Sequence, residues 1–154
     1  MIEIVKNSSI FDAEVETLVN PVNCVGVAGK GLALEFRKRF PENFRFYTGY
    51  CRREMIAGDV VTFAVNFDRE SGFIPGYIFN VATKHHWSDK SNLEIIKCGS
   101  ENLRSKVITL GIKSIAIPAL GCGLGGLDFK DVLPVISKAF DPLVNVKTLI
   151  HEPQ

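Results

Sequence analysis

The sequence predicts an α/β fold, and three observations carry that prediction. Six short runs rich in Val, Ile, Phe and Tyr alternate with longer segments of helical period. Clusters of Gly, Pro and Asn separate the two kinds of segment. The chain has 154 residues, enough for one such core spanning 1–154 and too few for two.

The elements follow in chain order. Ile2-Glu3-Ile4-Val5 alternates as a strand, and residues 17–20 form a second, uncharged one. A helix is expected over 31–40, ended by Pro41, and another over 42–53. Strands follow at 60–65 and 77–81. The clearest helix is 91–110, where Leu93, Ile96, Leu103, Val107 and Leu110 make one apolar stripe, Ser91 and Glu94 fit a capping box, and Gly111 stops the helix. A strand at 115–118, a helix at 128–140 and a strand at 147–150 complete the set.

Composition narrows the function classes. A hydrophobic fraction of 46% and a charged fraction of 23% exclude disordered and fibrous chains, in line with a mean hydropathy of +0.14. Eighteen Lys and Arg against seventeen Asp and Glu leave a net +1, so any polyanion site must be local. Cys24, Cys51, Cys98 and Cys122 form no C-x-x-C pair and stand near no His at ligand spacing, so no metal site is expected. With no leader ahead of the first strand, free thiols in a reducing cytoplasm are expected, and Asn7-Ser8-Ser9 matches a glycosylation sequon only formally. The longest uncharged stretches, 17–29, 71–83 and 114–127, are too short and too broken by Gly, Asn or Pro to span a membrane.

Those three stretches share a design. Each holds a buried strand, ends in small or amide residues, and then meets one charge: Lys30, Lys84 or Asp128. Ligands of open α/β sheets sit beyond the carboxyl ends of the strands, so the three loops point to one crevice. Eight of the 13 glycines lie in these stretches, more than tight turns alone require.

Gly121-Cys122-Gly123-Leu124-Gly125-Gly126 lets backbone N–H groups approach a ligand and leads into a helix N-terminus, which suits a phosphate or diphosphate. Its spacing is not that of the dinucleotide fingerprint, and Gly29-Lys30-Gly31 lacks the Ser or Thr of a P-loop, so triphosphate hydrolysis is disfavoured. Gly26-Val27-Ala28-Gly29-Lys30-Gly31 opens a second helix and offers a second anion-friendly turn. In Asn20-Pro21-Val22-Asn23 a carboxamide can fix a sugar hydroxyl, or the residues can simply form a turn. Lys84 leaves an apolar strand, where partial desolvation would lower its pKa and make the amine a nucleophile or proton carrier; solvation of a strand-end lysine is the plainer reading. His85 and His86 are adjacent and point apart, and Trp87, the only tryptophan, reads as a core anchor or as a stacking platform for a base. Residues 37–53 carry Arg37, Lys38, Arg39, Arg45, Arg52 and Arg53 against Glu42 alone, a patch fit for a nucleic-acid backbone or for two solvated helix faces.

These residues resemble a known family. Val19-Asn20-Pro21-Val22-Asn23, the loop of 26–31, and above all residues 117–129, Ile-Pro-Ala-Leu-Gly-Cys-Gly-Leu-Gly-Gly-Leu-Asp-Phe, look like a macrodomain, the ADP-ribose-binding module. Residues 26–36, then Phe40-Pro41-Glu42-Asn43 and Thr83-Lys84-His85-His86-Trp87, are similar to the DarG antitoxin macrodomains, which remove ADP-ribose placed on thymidine in single-stranded DNA by the DarT toxin. The resemblance covers essentially the whole chain. It implies a three-layer α/β/α fold with a mixed, mostly parallel sheet of about six strands. It also implies a DNA ADP-ribosyl glycohydrolase that needs no metal or other cofactor, with ADP-ribose as ligand and product, ADP-ribosylated single-stranded DNA as substrate, a DarT-type toxin as counterpart, and a monomeric state.

By the same resemblance, Lys84 and Asn23 are the catalytic pair, with Asn23 on the distal ribose. ADP-ribose is expected to contact Ser9, Ile10, Pro21, Val22, Asn23 and Thr83, then Gly31, Leu32, Ala33, Leu34 and Glu35 at a helix start. Gly121, Cys122, Gly123, Leu124 and Gly125 are expected to wrap the diphosphate. Three departures stand out. Asn7-Ser8-Ser9-Ile10 replaces the acidic adenine contact common in macrodomains, Gly125 replaces the acid of the enzymes that act on protein carboxylates, and DarG chains continue beyond the point matching Gln154. The alternatives are a reader that binds ADP-ribose without cleaving, or a hydrolase of O-acetyl-ADP-ribose or ADP-ribosylated protein.

Overall fold

Every expected strand and helix forms, and their order builds one mixed sheet. In the computed structural model, which describes residues 1–65 and 75–154, the strands are β1 (Ile2–Val5), β2 (Thr17–Asn23), β3 (Val60–Ala64), β4 (Tyr77–Lys84), β5 (Ser114–Ile117) and β6 (Lys147–His151). The helices are α1 (Gly31–Arg39), α2 (Pro41–Cys51), α3 (Leu93–Leu110) and α4 (Phe129–Phe140), with single 3₁₀ turns at Ile10–Asp12 and Gly123–Gly125. Residues 71–74 of the second uncharged stretch lie outside the described residues. The sheet order is β1-β6-β5-β2-β4-β3, parallel throughout except for the antiparallel β3–β4 pair.

Alternation along the strands sorts their side chains into two layers. Val19, Phe79, Val81, Ile115, Ile117 and Ile150 pack against Ile96, Leu103 and Val107 of α3 and Val132, Ile136 and Phe140 of α4. On the other face Leu18, Ile78, Ala116 and Leu149 meet Phe36 of α1, and Val22, Ala82 and Val61 meet Tyr47 of α2. The three-layer α/β/α arrangement follows. Among the described residues no helix is long and apolar enough to cross a membrane.

Two strands run three residues further than their sequence pattern suggested. β2 continues past Pro21 to Asn23, and β4 past Val81 to Lys84. β5 pairs with β2 only at Thr17 and Leu18, so at Pro21 the strand has a partner on the β4 side alone. A proline there removes no ladder bond on the open side. The same parting of β2 and β5 opens a cleft where the chain connections reverse direction across the sheet.

The helix starts also need one correction. Asn92, not Ser91, caps α3, its side chain accepting from Ile95 N–H at 2.9 Å. Ser91 is buried instead, and its hydroxyl donates to the Thr83 carbonyl at 2.6 Å. Asp128 caps α4 as a side-chain acceptor for Lys130 N–H, and Pro41 occupies the first turn of α2.

Asn20 is likewise not a strand-end amide. It lies mid-strand, buried, opposite Asn80 of β4, and its Nδ2 donates to Asn80 Oδ1 at 3.0 Å. Asn43 of α2 donates to the same oxygen at 3.1 Å and accepts from Asn80 Nδ2 at 2.7 Å, while Asn80 Nδ2 also reaches the Val61 carbonyl at 3.2 Å. This buried amide cluster pins α2 to the sheet at mid-height. Asn80→Ala strips Asn20 and Asn43 of partners at once, and each buried polar group left unpaired costs about 1–3 kcal/mol. The expected loss is about 3 kcal/mol in urea unfolding, with little change in m-value.

Candidate functional site

The carboxyl ends of β2, β4 and β5 supply three loops that lie together. Asn23 and Lys84, the last residues of β2 and β4, stand side by side in register after a one-residue irregularity between Val22 and Asn23. Cys24 N–H donates to the His85 carbonyl at 2.7 Å, bracing the first loop to the second. Ser91 N–H donates to the Gly125 carbonyl at 3.0 Å, bracing the second to the third. Thr83 and Pro21 fill the strand ends beneath, Thr83 with its hydroxyl donating to the Val22 carbonyl at 3.4 Å.

Asn23 organises the first loop. Its Oδ1 accepts the backbone N–H groups of Val25, Gly26 and Val27 at 3.1, 3.1 and 3.3 Å, and its Nδ2 donates to the Val27 carbonyl at 2.8 Å. The Tyr47 hydroxyl of α2 stands 2.6 Å from the Asn23 carbonyl and 3.0 Å from Oδ1. The amide expected to meet a sugar is thus largely spent on its own loop, with one amide hydrogen left over. Loop shape, rather than a free side chain, is what Asn23 supplies.

The loop then enters α1. Lys30 is its extended N-cap and makes no side-chain cap bond, so the N–H groups of the first turn, at Gly31, Leu32 and Ala33, have no side-chain acceptor. Leu34 is half-buried beside them and Glu35 is exposed. Those N–H groups and the helix dipole favour an anion.

In the third loop Gly121, Gly123 and Gly126 all have positive φ, at 74°, 65° and 83°. A Cβ on Gly121 would stand 2.8 Å from Leu127 Cδ1 and 2.9 Å from Ile96 Cδ1, so any side chain there must displace both as well as bear the positive φ. Leu127 N–H closes the loop onto the Gly121 carbonyl at 3.0 Å. Among the described residues the Leu124 N–H meets no backbone acceptor, and Gly123 and Leu124 are exposed. Cys122 is half-buried and Gly125 buried.

Lys84 is half-buried, and burial lowers its pKa, Lys90 adding to the fall and Asp89 opposing it. Among the described residues it forms no ion pair. The neighbouring thiols are poor rivals as nucleophiles. Burial pushes Cys24 up to about 11, and burial with the charge of Asp128 pushes Cys122 upward.

Further along the same sheet edge lies the segment after β1. Ser9 caps the first 3₁₀ turn by accepting from Phe11 N–H at 3.2 Å, and Ile10 is buried core. His151, at the end of β6, stands with Nδ1 3.3 Å from the Ser8 carbonyl, a neighbour not visible in sequence because 143 positions separate the two. Tyr47 and Ser91, which brace the loops, were also missed. A separate groove of about 350 Å³, lined by Tyr50, Asp59, Val60, Asn102, Ser105 and Lys106, shares none of these residues.

Comparison with known proteins agrees with this geometry. A family model described as "Macro domain" matches residues 19–136. The "DNA ADP-ribosyl glycohydrolase" of Thermus aquaticus is 39% identical over 94% of this chain and 39% of that protein. The protein of the same name from Mycobacterium tuberculosis is 41% identical over 96% of this chain and 41% of that protein, so the chain spans well under half the length of the curated relatives it matches. Among solved structures, the macrodomain of Mycobacterium tuberculosis DarG superposes with a TM-score of 0.93 at 39% identity, covering 100% of this chain and 99% of that one. Thermosipho africanus DarTG in complex with ADP-ribose gives 0.90 at 29% identity, over 99% of this chain and 41% of that one. With the family model matching most of its length and its fold and loops shared with DarG macrodomains, the chain belongs to the macrodomain family, in its DarG group.

Proposed function

We propose that this domain removes ADP-ribose from thymidine bases of single-stranded DNA, reversing a DarT-type toxin. It works as a cytoplasmic monomer, with ADP-ribose as ligand and product and no further cofactor. The observation that carries the reading is Lys84, a half-buried amine with a lowered pKa at the meeting of two loops that suit phosphates. Relatives support it: beside the proteins named above, one from Thermosipho africanus is named a DNA ADP-ribosyl transferase and DNA ADP-ribosyl glycohydrolase fusion.

The ligand lies along the carboxyl edge of the sheet. From Lys84 on β4 to the Ser9–Ile10 turn beyond β1 there are four strand steps, about 19 Å at the usual strand spacing, a length for an extended ADP-ribose. The diphosphate falls midway, between the α1 turn and the Gly121–Gly125 loop, and adenine at Ser9 and Ile10. The distal ribose then meets Lys84, with Asn23 shaping the loop beneath it.

The uncharged Lys84 amine attacks the ribose carbon that carries the base. The carbon–nitrogen bond to thymine breaks, its electron pair goes to the thymine nitrogen, and that nitrogen takes the proton shed by the lysine. Water then replaces the lysine nitrogen at the same carbon, freeing ADP-ribose and restoring the amine. Gly125 offers no acid to assist, which suits a base as leaving group better than a substrate needing a lysine–acid pair.

The test is release of ADP-ribose from a thymidine-ADP-ribosylated single-stranded oligonucleotide, with an ADP-ribosylated protein as control. Release from DNA alone is expected, and binding of ADP-ribose without release from either substrate would make the domain a reader. The pH profile adds a signed check. Activity should rise with pH as Lys84 loses its proton, along a limb set below the ordinary lysine value of 10.5. Lys90→Gln removes a like charge, so Lys84 holds its proton more tightly and the limb should move to higher pH; Asp89→Asn removes the opposing charge and should move it lower.

A further inference from the structure

One residue of the crevice remains unused by that reading. Trp87 is 55% exposed, so it anchors no core, and it sits on a hydrogen-bonded turn. Its ring lies against His86 with centroids 5.0 Å apart. The His86 ring is fixed by Ser88, whose Oγ is 2.7 Å from Nδ1 and whose N–H donates to the same nitrogen at 3.2 Å. The turn beneath is closed by His86 N–H on Asp89 Oδ2 and Asp89 N–H on the His86 carbonyl, both at 3.0 Å. A half-exposed aromatic face stacked beside a hydrogen-bonded imidazole offers a surface for a flat partner.

The surroundings indicate which partner. Trp87 follows Lys84 by three residues, and the Cys24–His85 bond ties its turn to the loop where Val25 and Val27 are 40% and 44% exposed. α2 rises beside the same strand ends: Asn43 meets mid-strand Asn80, Tyr47 meets Asn23, and Met55 packs with Val22 and Ala82. Arg52 and Arg53, between Tyr47 and Met55, therefore flank the crevice on the Lys84 side, exposed and, among the described residues, in no ion pair. Arg37 and Arg39 are already engaged with the rings of Phe44 and Phe11, at 4.6 and 4.3 Å, and so do not belong to this surface.

We propose that the His86–Trp87 pair is a stacking platform for a base of the DNA strand beside the ADP-ribose attachment point, with Arg52 and Arg53 receiving the adjoining phosphates. This rests on the reading of the site as a DNA ADP-ribosyl glycohydrolase and names how it selects a strand over other carriers of ADP-ribose. An aromatic face and a short basic rim are the two elements that single-strand recognition combines.

Because Trp87 is the sole tryptophan, its fluorescence reports the contact directly. Unmodified oligothymidylate should quench it, and free ADP-ribose should not. Trp87→Ala should raise KM for the ADP-ribosylated oligonucleotide about tenfold while kcat and the Kd for free ADP-ribose hold, and Trp87→Phe should recover most of the loss. Arg52→Glu with Arg53→Glu should flatten the salt dependence of oligonucleotide binding by up to about two units of slope. Quenching by ADP-ribose alone would overturn the proposal by assigning the ring to the ligand's own adenine. An unchanged KM without quenching would leave the ring idle and overturn the proposal. Absence of release from DNA by the unmutated chain would instead sink the glycohydrolase reading, and quenching, which needs no turnover, still tests the platform.

Discussion

Lys84→Ala is expected to abolish release of ADP-ribose from modified DNA while leaving the Kd for free ADP-ribose within about threefold. A positioned amine acting on the bond that breaks contributes at least about 10²-fold to the rate, so the loss should appear in kcat. Binding is expected to survive because the backbone N–H groups proposed to meet the phosphates, in the α1 turn and the loop around Leu124, are left in place by the substitution. Single-turnover release and calorimetric titration of ADP-ribose separate the two quantities. The glycosylamine formed by Lys84 can open its ribose ring to a protonated imine, the ring oxygen taking up a proton, so reduction with borohydride during turnover should further leave ADP-ribose covalently on the unmutated chain and none on the variant. A large fall in affinity would instead make Lys84 chiefly a binding residue, and turnover that needs Lys84 without any trapped adduct would make it a proton carrier.

Gly121→Ala should damage both binding and stability. The residue sits at φ 74°, where an L side chain costs about 1–2 kcal/mol, and its new Cβ would meet Leu127 and Ile96 below 3 Å and Ser91 Oγ at 3.1 Å. Overpacking of that kind adds about 1–3 kcal/mol. Ser91 cannot yield freely, since its hydroxyl holds the Thr83 carbonyl and its N–H the Gly125 carbonyl. The disturbance therefore reaches both the Gly121–Gly126 loop and the strand end that carries Lys84. Weakening of ADP-ribose affinity by about tenfold or more, together with a lowered Tm, is the expected result. Gly123→Ala is the matched comparison: its φ is 65°, but nothing lies within 4 Å of the added carbon. It should show the backbone strain alone, about 1–2 kcal/mol. Equal stability losses in the two variants would show that the packing around Gly121 yields at no cost.

The layers and the crevice were legible in the sequence because both depend on local pattern. Val, Ile and Phe runs separated by helices of clear period place six strands and four helices, and three uncharged stretches that each end at one charge mark the loops. What escaped notice depends on pairs far apart in the chain. Asn20 reads as a strand-end amide because Pro21 follows it, whereas its partner Asn80 lies 60 positions along the chain and is itself held by Asn43 of α2. Ser91 fitted a helix cap by spacing to Glu94, but its neighbour Asn92 can cap equally well, which frees Ser91 to hold Thr83. Trp87 could be read either way, since exposure of a single ring is decided by how the turn around it closes.

The loop hung on Asn23 has a consequence for which residue can stand there. Three backbone N–H groups converge on one oxygen, an arrangement that by itself would welcome a carboxylate. An aspartate at this position would keep the acceptor, but it would lose the donor to Val27 and set a negative charge beside the Lys84 amine, on the path proposed for the diphosphate. That charge would repel the phosphates and help Lys84 keep its proton, opposing both halves of the chemistry. An amide supplies the same shape at zero charge, so this corner of the crevice selects for neutrality as strictly as for form.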